Sequence, residues 1–290
     1  MANGMYVVSN WKMNVSPSEA RGLLSGMTKA KTDQVTRIVL PPFPLLPVAR
    51  DTLDHMHDNA QIALGGQDCH AESHGAYTGD VSSRMLKNAG CRYVLLGHSE
   101  RRQHHDETSH DVAKKVKAAS EAGLRVILCV GESDGIRQKG DDVATAHVAE
   151  QLTESLEDVT IKAKSLIVAY EPVWAIGTGK IPNAKQIESM HLACREALIK
   201  IDEKLATCPI LYGGSVNTGN AKEIAGIPGV DGVLVGGASL KAGAINAISR
   251  ASQIVKNGRI GQATRIRPST KPLMRLGANG RTRQSARDAA

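Results

Sequence analysis

Tyr6-Val7-Val8-Ser9-Asn10-Trp11-Lys12-Met13-Asn14 reads as a short apolar strand that runs directly into a turn carrying a tryptophan and a lysine but no glycine. That turn decides between two folds. A doubly wound open sheet places G-x-G-x-x-G after its first strand, so that backbone can approach a dinucleotide. No such fingerprint follows here. The only G-x-G, Gly177-Thr178-Gly179, lies far downstream, lacks the third glycine, and leads into Lys180-Ile181 instead of the Lys-Ser/Thr pair of a nucleotide loop. The apolar run itself recurs at Arg37–Leu40, Gln61–Gly65, Tyr93–Leu96, Arg125–Val130, Leu166–Tyr170, Pro209–Tyr212 and Val233–Val235. Stretches of helical periodicity separate the runs, among them Asp111–Ala122, with Val112, Val116 and Ala119 on one face, and Lys185–Leu198. Strict strand–helix alternation implies right-handed crossovers and a parallel sheet. Eight such units in a chain of 290 residues predict an α/β fold of the (β/α)8 barrel type.

Composition agrees with that fold. Hydrophobic residues make up 41% and aromatics only 3%, with Phe43 the single phenylalanine. The core must therefore be built from Val, Ile, Leu and Ala, which suits a buried parallel sheet and excludes a disordered chain. No apolar run reaches membrane-spanning length, and Met1–Asn10 has no secretory signature, so a cytoplasmic location is expected. The five cysteines, Cys69, Cys91, Cys129, Cys194 and Cys208, form no C-x-x-C pair and read as reduced thiols. The net charge of +7 is local: eight of the 36 basic residues and one of the 29 acids follow Gly258, leaving 28 of each in the body. The pI thus says nothing of what the body binds. A last helix is expected over Ala242–Lys256 with Asn257-Gly258 as its cap, dividing the chain into a barrel domain, 1–258, and a basic, flexible tail, 259–290.

Chemistry in such a barrel sits where strands end and the following loops begin. After the first run, Tyr6–Ser9, comes Asn10-Trp11-Lys12, and a lysine tight against a strand end offers a cation to an anionic substrate. Gly97-His98-Ser99-Glu100-Arg101 follows the fourth, with Ser99 placed to cap a helix. The helix dipole disfavours imidazolium, so His98 is expected to be neutral and able to donate a hydrogen bond. The nearby His104, His105 and His110 sit among Asp106, Glu107 and Asp111 and read as a solvated helix start, so no metal is expected. Glu171 ends the sixth strand, where a carboxylate is costly unless paired or used. The segment after it, Pro172-Val173-Trp174-Ala175-Ile176-Gly177-Thr178-Gly179-Lys180, has the stiff start, apolar underside and glycine end of a hinged lid. Gly213-Gly214-Ser215 and Gly236-Gly237, after the seventh and eighth strands, let backbone N–H groups approach a phosphate, each aided by a helix start. A base, a neutral electrophile, a cation and a phosphate cradle together suit proton transfer beside the carbonyl of a small phosphorylated sugar, with no cofactor.

These segments, in order, resemble the triosephosphate isomerase family: NWKMN at Asn10–Asn14, GAYTGD at Gly75–Asp80, GHSERR at Gly97–Arg102, CVGE at Cys129–Glu132, AYEPVWAIGTGK at Ala169–Lys180, YGGSV at Tyr212–Val216 and GVLVGGASL at Gly232–Leu240. The resemblance implies interconversion of dihydroxyacetone phosphate and D-glyceraldehyde 3-phosphate. In it Glu171 is the general base, His98 the electrophile, Lys12 the cation for the enediolate and Asn10 its helper. Glu100 would hold Lys12. Gly177, Ser215, Gly236 and Gly237 would donate to the phosphate, and Ile176 and Leu234 would cap Glu171 and raise its basicity. Gly75–Asp80 resembles the loop that inserts into a second subunit of a homodimer, with Thr78 beside the partner's Asn10 and His98. Ile181-Pro182-Asn183-Ala184 departs from the threonine-containing stretch frequent in the family. Two alternatives stand beside this reading: an isomerase of a four-carbon ketose phosphate on the same barrel, and a polyanion-binding protein acting through the tail. The tail's arginines lack aromatic neighbours to stack on bases.

Overall fold

A computed structural model describes residues 4–27, 34–56, 62–178 and 180–265, the last seven of these by backbone alone. Eight parallel strands close into a barrel in sequence order: β1 (Met5–Asn10), β2 (Val35–Leu40), β3 (Ile62–Gly66), β4 (Tyr93–Leu96), β5 (Arg125–Val130), β6 (Leu166–Tyr170), β7 (Ile210–Tyr212) and β8 (Gly232–Val235). The ring shuts through β8 on β1, with Tyr6 opposite Gly232 and Ser9 opposite Val235. All eight expected strands are present, with ends shifted by at most two residues; Gln61 lies outside the described residues.

Alternation along each strand divides the apolar residues into two bodies. Tyr6, Val8, Ile38, Leu40, Tyr93, Leu95, Ile127, Cys129, Ile167, Ala169, Leu211 and Leu234 fill the bore. The intervening residues, such as Val7, Val39, Val94, Val126, Leu128 and Val168, face outward under the helices. Every strand is thus buried on both faces, which is why the runs read as continuously apolar. The five cysteines are free and buried.

The helices are α1 (Pro17–Gly26), α2 (Leu46–His55), α3 (Ser83–Asn88), α4 (Ser99–His104), α5 (Ser109–Glu121), α6 (Asp134–Arg137), α7 (Asp141–Glu154), α8 (Ala184–Ile201), α9 (Ala221–Gly226) and α10 (Ala242–Arg265). Their starts are fixed by side chains. Ser16 with Glu19, Thr108 with Asp111 and Asn183 with Gln186 each form a reciprocal capping box, worth about 1 kcal/mol at the cap. The Ile181-Pro182-Asn183-Ala184 stretch therefore supplies the cap residue of α8, Asn183, which Gln186 completes. One expectation is corrected: α10 does not stop at Asn257-Gly258 but runs on to Arg265. A glycine inside a helix costs only about 1 kcal/mol, and no proline occurs before Pro268 to force an end. The remainder of the tail, 266–290, lies outside the described residues.

His191 on α8 is packed edge-on to Tyr170, their centroids 6.1 Å apart. Its Nδ1 lies 3.1 Å from the Gly229 carbonyl, which only accepts, so Nδ1 carries the ring proton and donates. Nε2 is buried without a partner, and burial pushes the pKa down to about 4. The folded protein therefore binds fewer protons than the unfolded chain between about 4 and the ordinary 6.5, and stability falls as pH drops through that window. The full effect is up to about 3 kcal/mol. Urea unfolding at fixed protein concentration should show a loss between pH 6.5 and 4.5 that is clearly shallower in His191→Asn.

Candidate active site

The carboxyl ends of the strands gather their side chains around a cavity of about 270 Å³. β1 delivers Asn10 and Lys12. Lys12 stands at φ 52°, a left-handed conformation that costs a non-glycine residue roughly 1–3 kcal/mol. The neighbours hold it there. The Lys12 amide donates to Asn10 Oδ1 at 3.0 Å, and Gln67 Nε2 donates to the carbonyls of Lys12 at 2.9 Å and Leu40 at 2.8 Å. The Lys12 ammonium meets Glu100 Oε1 at 2.5 Å, so the cation is aimed as well as charged.

His98 and Glu171 form the buried centre. His98, not Ser99, is the cap of α4: its Nδ1 accepts from the Glu100 amide at 3.2 Å. Ser99 is the first helical residue, and its free N–H donates to Glu171 Oε2 at 2.9 Å. The other carboxylate oxygen faces His98 Nε2 at 3.0 Å. Burial alone would push the Glu171 pKa up, but His98, the Ser99 amide and Lys12 outweigh it and hold the carboxyl below its ordinary value. The raised basicity expected from the Ile176 and Leu234 cap is thus absent while the carboxylate rests on these donors. Burial likewise disfavours charge on His98, while Glu171 and Glu100 lift its pKa above the ordinary value. The Glu100 amide works against that lift, because Nδ1 accepts only while unprotonated. With Nδ1 so engaged, the neutral ring carries its proton on Nε2.

The lid leaves β6 through Glu171-Pro172 and is fastened from below. Trp174 Nε1 donates to Glu132 Oε1 at 2.7 Å, and the Tyr170 hydroxyl donates to the same oxygen at 3.1 Å. Glu132 is fully buried and paired with Arg137, whose guanidinium lies 5.6 Å from the Trp174 ring centroid. On the far side Ser215 Oγ donates to the Ala175 carbonyl at 3.0 Å, tying the lid to the loop after β7. Gly177, at φ 71°, and Thr178 are exposed, and Gly179 lies outside the described residues.

Gly213, Gly214, Ser215, Gly236 and Gly237 line the same cavity, with Gly213 directly beside Glu171, where a Cβ would lie 3.0 Å from the Glu171 Cγ. A Cβ on Gly214 would lie 2.2 Å from the Tyr212 hydroxyl, so only glycine fits there. The helix start expected after Gly213-Gly214 is absent, since α9 begins only at Ala221; a single 3-10 turn, Gly237–Leu240, follows Gly236. The Gly213 amide is itself engaged, donating to the Tyr170 carbonyl at 2.7 Å.

All ten residues assigned by sequence to catalysis, the phosphate and the apolar cap, Asn10, Lys12, His98, Glu171, Ile176, Gly177, Ser215, Leu234, Gly236 and Gly237, line this one cavity. Ser99 and Glu100 stand directly behind it. Thr78 does not join them; it lies exposed on the loop before Asp80. Among the described residues no group of three His, Cys, Asp or Glu side chains could hold a metal.

The profile of the triosephosphate isomerase family matches residues 5–252. The chain belongs to the triosephosphate isomerase family. Its activity is that of an isomerase acting on a phosphorylated triose. Among its relatives, the triosephosphate isomerase of Thermus thermophilus is 47% identical over 239 residues, 81% of this chain and 93% of that one. That of Ruegeria sp. is 45% identical over 234 residues, 80% and 92% of the two chains. A crystal structure of triosephosphate isomerase from Bartonella henselae superposes with a TM-score of 0.76 at 36% identity, covering 85% of this chain and 98% of that one.

Sequence reasoning about this isomerase missed Gln67, Glu132, Arg137 and the steric role of Gly131. Glu132 carried a signal, a carboxylate directly after an apolar strand, but its partners are distant in sequence. Gly131 sits against Glu171: a Cβ there would lie 1.7 Å from the Glu171 carbonyl oxygen. Gly131→Ala should displace the Glu171 backbone, lowering kcat at least tenfold and stability by roughly 3 kcal/mol, as read by steady-state kinetics and urea unfolding.

Proposed function

We propose that Glu171 is the general base and His98 the electrophile in the interconversion of dihydroxyacetone phosphate and D-glyceraldehyde 3-phosphate. The observation that carries this reading is the buried contact between them, with His98 Nε2 3.0 Å from one Glu171 oxygen and the Ser99 amide 2.9 Å from the other. In this arrangement the carboxylate is stored on two donors. Substrate brings a carbonyl oxygen to His98 Nε2–H, and Glu171 swings off into the cavity toward the adjacent carbon. Having lost both donors, it is left buried, and its pKa rises toward what burial dictates. His98 loses the carboxylate that lifted its pKa while keeping the Glu100 amide on Nδ1, so it acts as a neutral donor. Glu171 removes the carbon proton, the electron pair moves onto the carbonyl oxygen, and the enediolate is stabilised by His98 and Lys12 with Asn10 beside it. His98 passes a proton between the two oxygens, and Glu171 returns its proton to the other carbon.

The phosphate binds the amides of Gly177, Ser215, Gly236 and Gly237. For the lid to close over it, the Ser215 hydroxyl bond to Ala175 and the Trp174 bond to Glu132 must be exchanged. Closure excludes water and suppresses phosphate loss from the enediolate. The cavity of about 270 Å³ suits a triose phosphate, and relative kcat/KM for D-glyceraldehyde 3-phosphate against erythrulose phosphate separates it from the four-carbon reading. The chain divides functionally into the barrel, 1–258, and a basic extension, 259–290, and works in the cytoplasm.

We further propose a homodimer built on the loop Gly75–Asp80. Tyr77 and Thr78 stand exposed on that loop, and Met13 is 94% exposed at the rim of a second cavity of about 380 Å³ that also contacts Phe43, Asn10 and His98. A partner's Thr78 entering that cavity would brace Asn10 and His98. Thr78→Arg should give monomers in sedimentation, with kcat reduced at least tenfold. Glu171→Gln, which keeps the shape but not the basicity, should lower kcat by about a thousandfold or more with KM within a few-fold of the parent value; retention of a tenth of the activity would place the base elsewhere.

A further inference from the structure

The floor of the barrel, at the end opposite the active site, carries a cation with no counter-charge among the described residues. Arg125 is the first residue of β5, and its side chain points into the bore, two positions below Ile127. Its guanidinium donates from Nη1 to the Tyr93 hydroxyl on neighbouring β4 at 2.6 Å. From Nη2 it reaches across the bore to the Tyr6 hydroxyl on β1 at 3.2 Å. It lies 5.0 Å from the Tyr93 ring centroid and 5.9 Å from that of Tyr6. Both tyrosines are buried, at 3% and 7% exposure, while Arg125 itself is half-buried and reaches the opening.

The hydrogen-bond count at this floor is one-sided. Each tyrosine oxygen accepts from Arg125, which leaves each hydroxyl proton to be donated, and neither has an acceptor among the described residues. Arg125 Nε–H is buried and has no partner. No described carboxylate pairs with the guanidinium; Asp231, just before β8, is engaged by Arg195 at 3.2 Å and by the Ile210 amide at 3.0 Å. Hydroxyls solvate a guanidinium but do not neutralise it, and unmatched buried donors are expensive. The donors lie within the span of one guanidinium and its two ring partners, too short for a sugar phosphate. Gly232, which faces Tyr6 from β8, adds no side chain to this layer.

We propose that the barrel floor is a binding site for a small inorganic anion of halide type, held by Arg125 with the Tyr6 and Tyr93 hydroxyls donating to it. The ion enters beside the half-exposed guanidinium, completes the charge balance of the lowest layer of the bore, and stabilises the closed barrel by binding only the folded state. It plays no part in catalysis.

Bromide is the probe. Crystals of the full chain grown in sodium bromide should show an anomalous peak within hydrogen-bonding distance of the Arg125 guanidinium and at least one of the two hydroxyls. In parallel, the thermal midpoint should be a few degrees higher in sodium bromide than in sodium gluconate at equal ionic strength. That difference should be clearly smaller in Arg125→Met and partly reduced in Tyr93→Phe, while kcat/KM of both variants stays within about twofold of the parent. The phosphate cradle at the mouth also attracts anions, and any shift it causes would persist unchanged in Arg125→Met. An equal bromide shift in parent and variant, or anomalous peaks confined to other places in a parent crystal, would overturn the proposal. The crystallographic arm needs no variant, so it decides even if Arg125→Met does not fold.

Discussion

A carboxylate placed at 2% exposure above an apolar bore is the constraint around which the mouth of this barrel is organised. Left alone, Glu171 would take up a proton and lose its charge, and with it the basicity that its proposed role needs. The fold instead stores it as an anion on the Ser99 amide and the His98 ring, two donors of one helix start. That storage requires a free amide at the first helical position, which is why the cap of α4 has to be the histidine side chain. It requires the His98 proton to sit on Nε2, which the Glu100 amide secures from the other side. It also requires that nothing push on the base from behind, which makes position 131 a glycine. The pair is held by groups that cost nothing to keep and are simple to exchange for a substrate oxygen.

The lid depends on the same economy of partners. Glu132 is fully buried, and its Oε1 takes bonds from Arg137, the Tyr170 hydroxyl and Trp174 Nε1. Two of those donors are fixed in the body, and one belongs to the lid. Removing the indole would leave the carboxylate still paired and hydrogen-bonded, so the lid is free to leave without stranding a buried charge. Ser215 Oγ on Ala175 works in the same way, since a hydroxyl released from a carbonyl can turn to an anion. The resting contacts of the lid are therefore specific but replaceable, as a closing element needs.

How much of this was legible beforehand follows from where each partner lies in the chain. Strand runs and loop motifs are local, so Asn10, Lys12, His98 and Glu171 could be named, and closing the barrel brought them to one cavity. The helix dipole was also legible, but which residue caps α4 was not: Ser99 has the better side chain, and only the need to free its amide for Glu171 reverses the assignment. Gln67 lies 55 positions from Lys12 and gives no sign that it pins that backbone. The end of α10 was misread for a different reason. Asn-Gly is a stop signal only if the chain turns there, and the sequence after it contains no residue that forces a turn.

The two ends of the bore show opposite solutions to polar groups in an apolar tube. At the mouth, charge of both signs is present, and Glu171, His98, Lys12 and Glu100 satisfy one another in the resting state. At the floor, Arg125 has only hydroxyls for partners among the described residues. Between them stand layers of Val8, Ile38, Leu95, Ile127, Ile167 and Leu211, all buried and all apolar. These side chains carry no charge, and burial pushes the one thiol beside them in the bore, Cys129, well above its ordinary pKa, so the middle of the bore offers no charge by which one end could bias the other. The floor can then be tuned for stability without disturbing the chemistry above it, whereas the mouth has to stay rearrangeable. The apolar middle of the barrel serves as the insulator that lets both requirements hold in one chain.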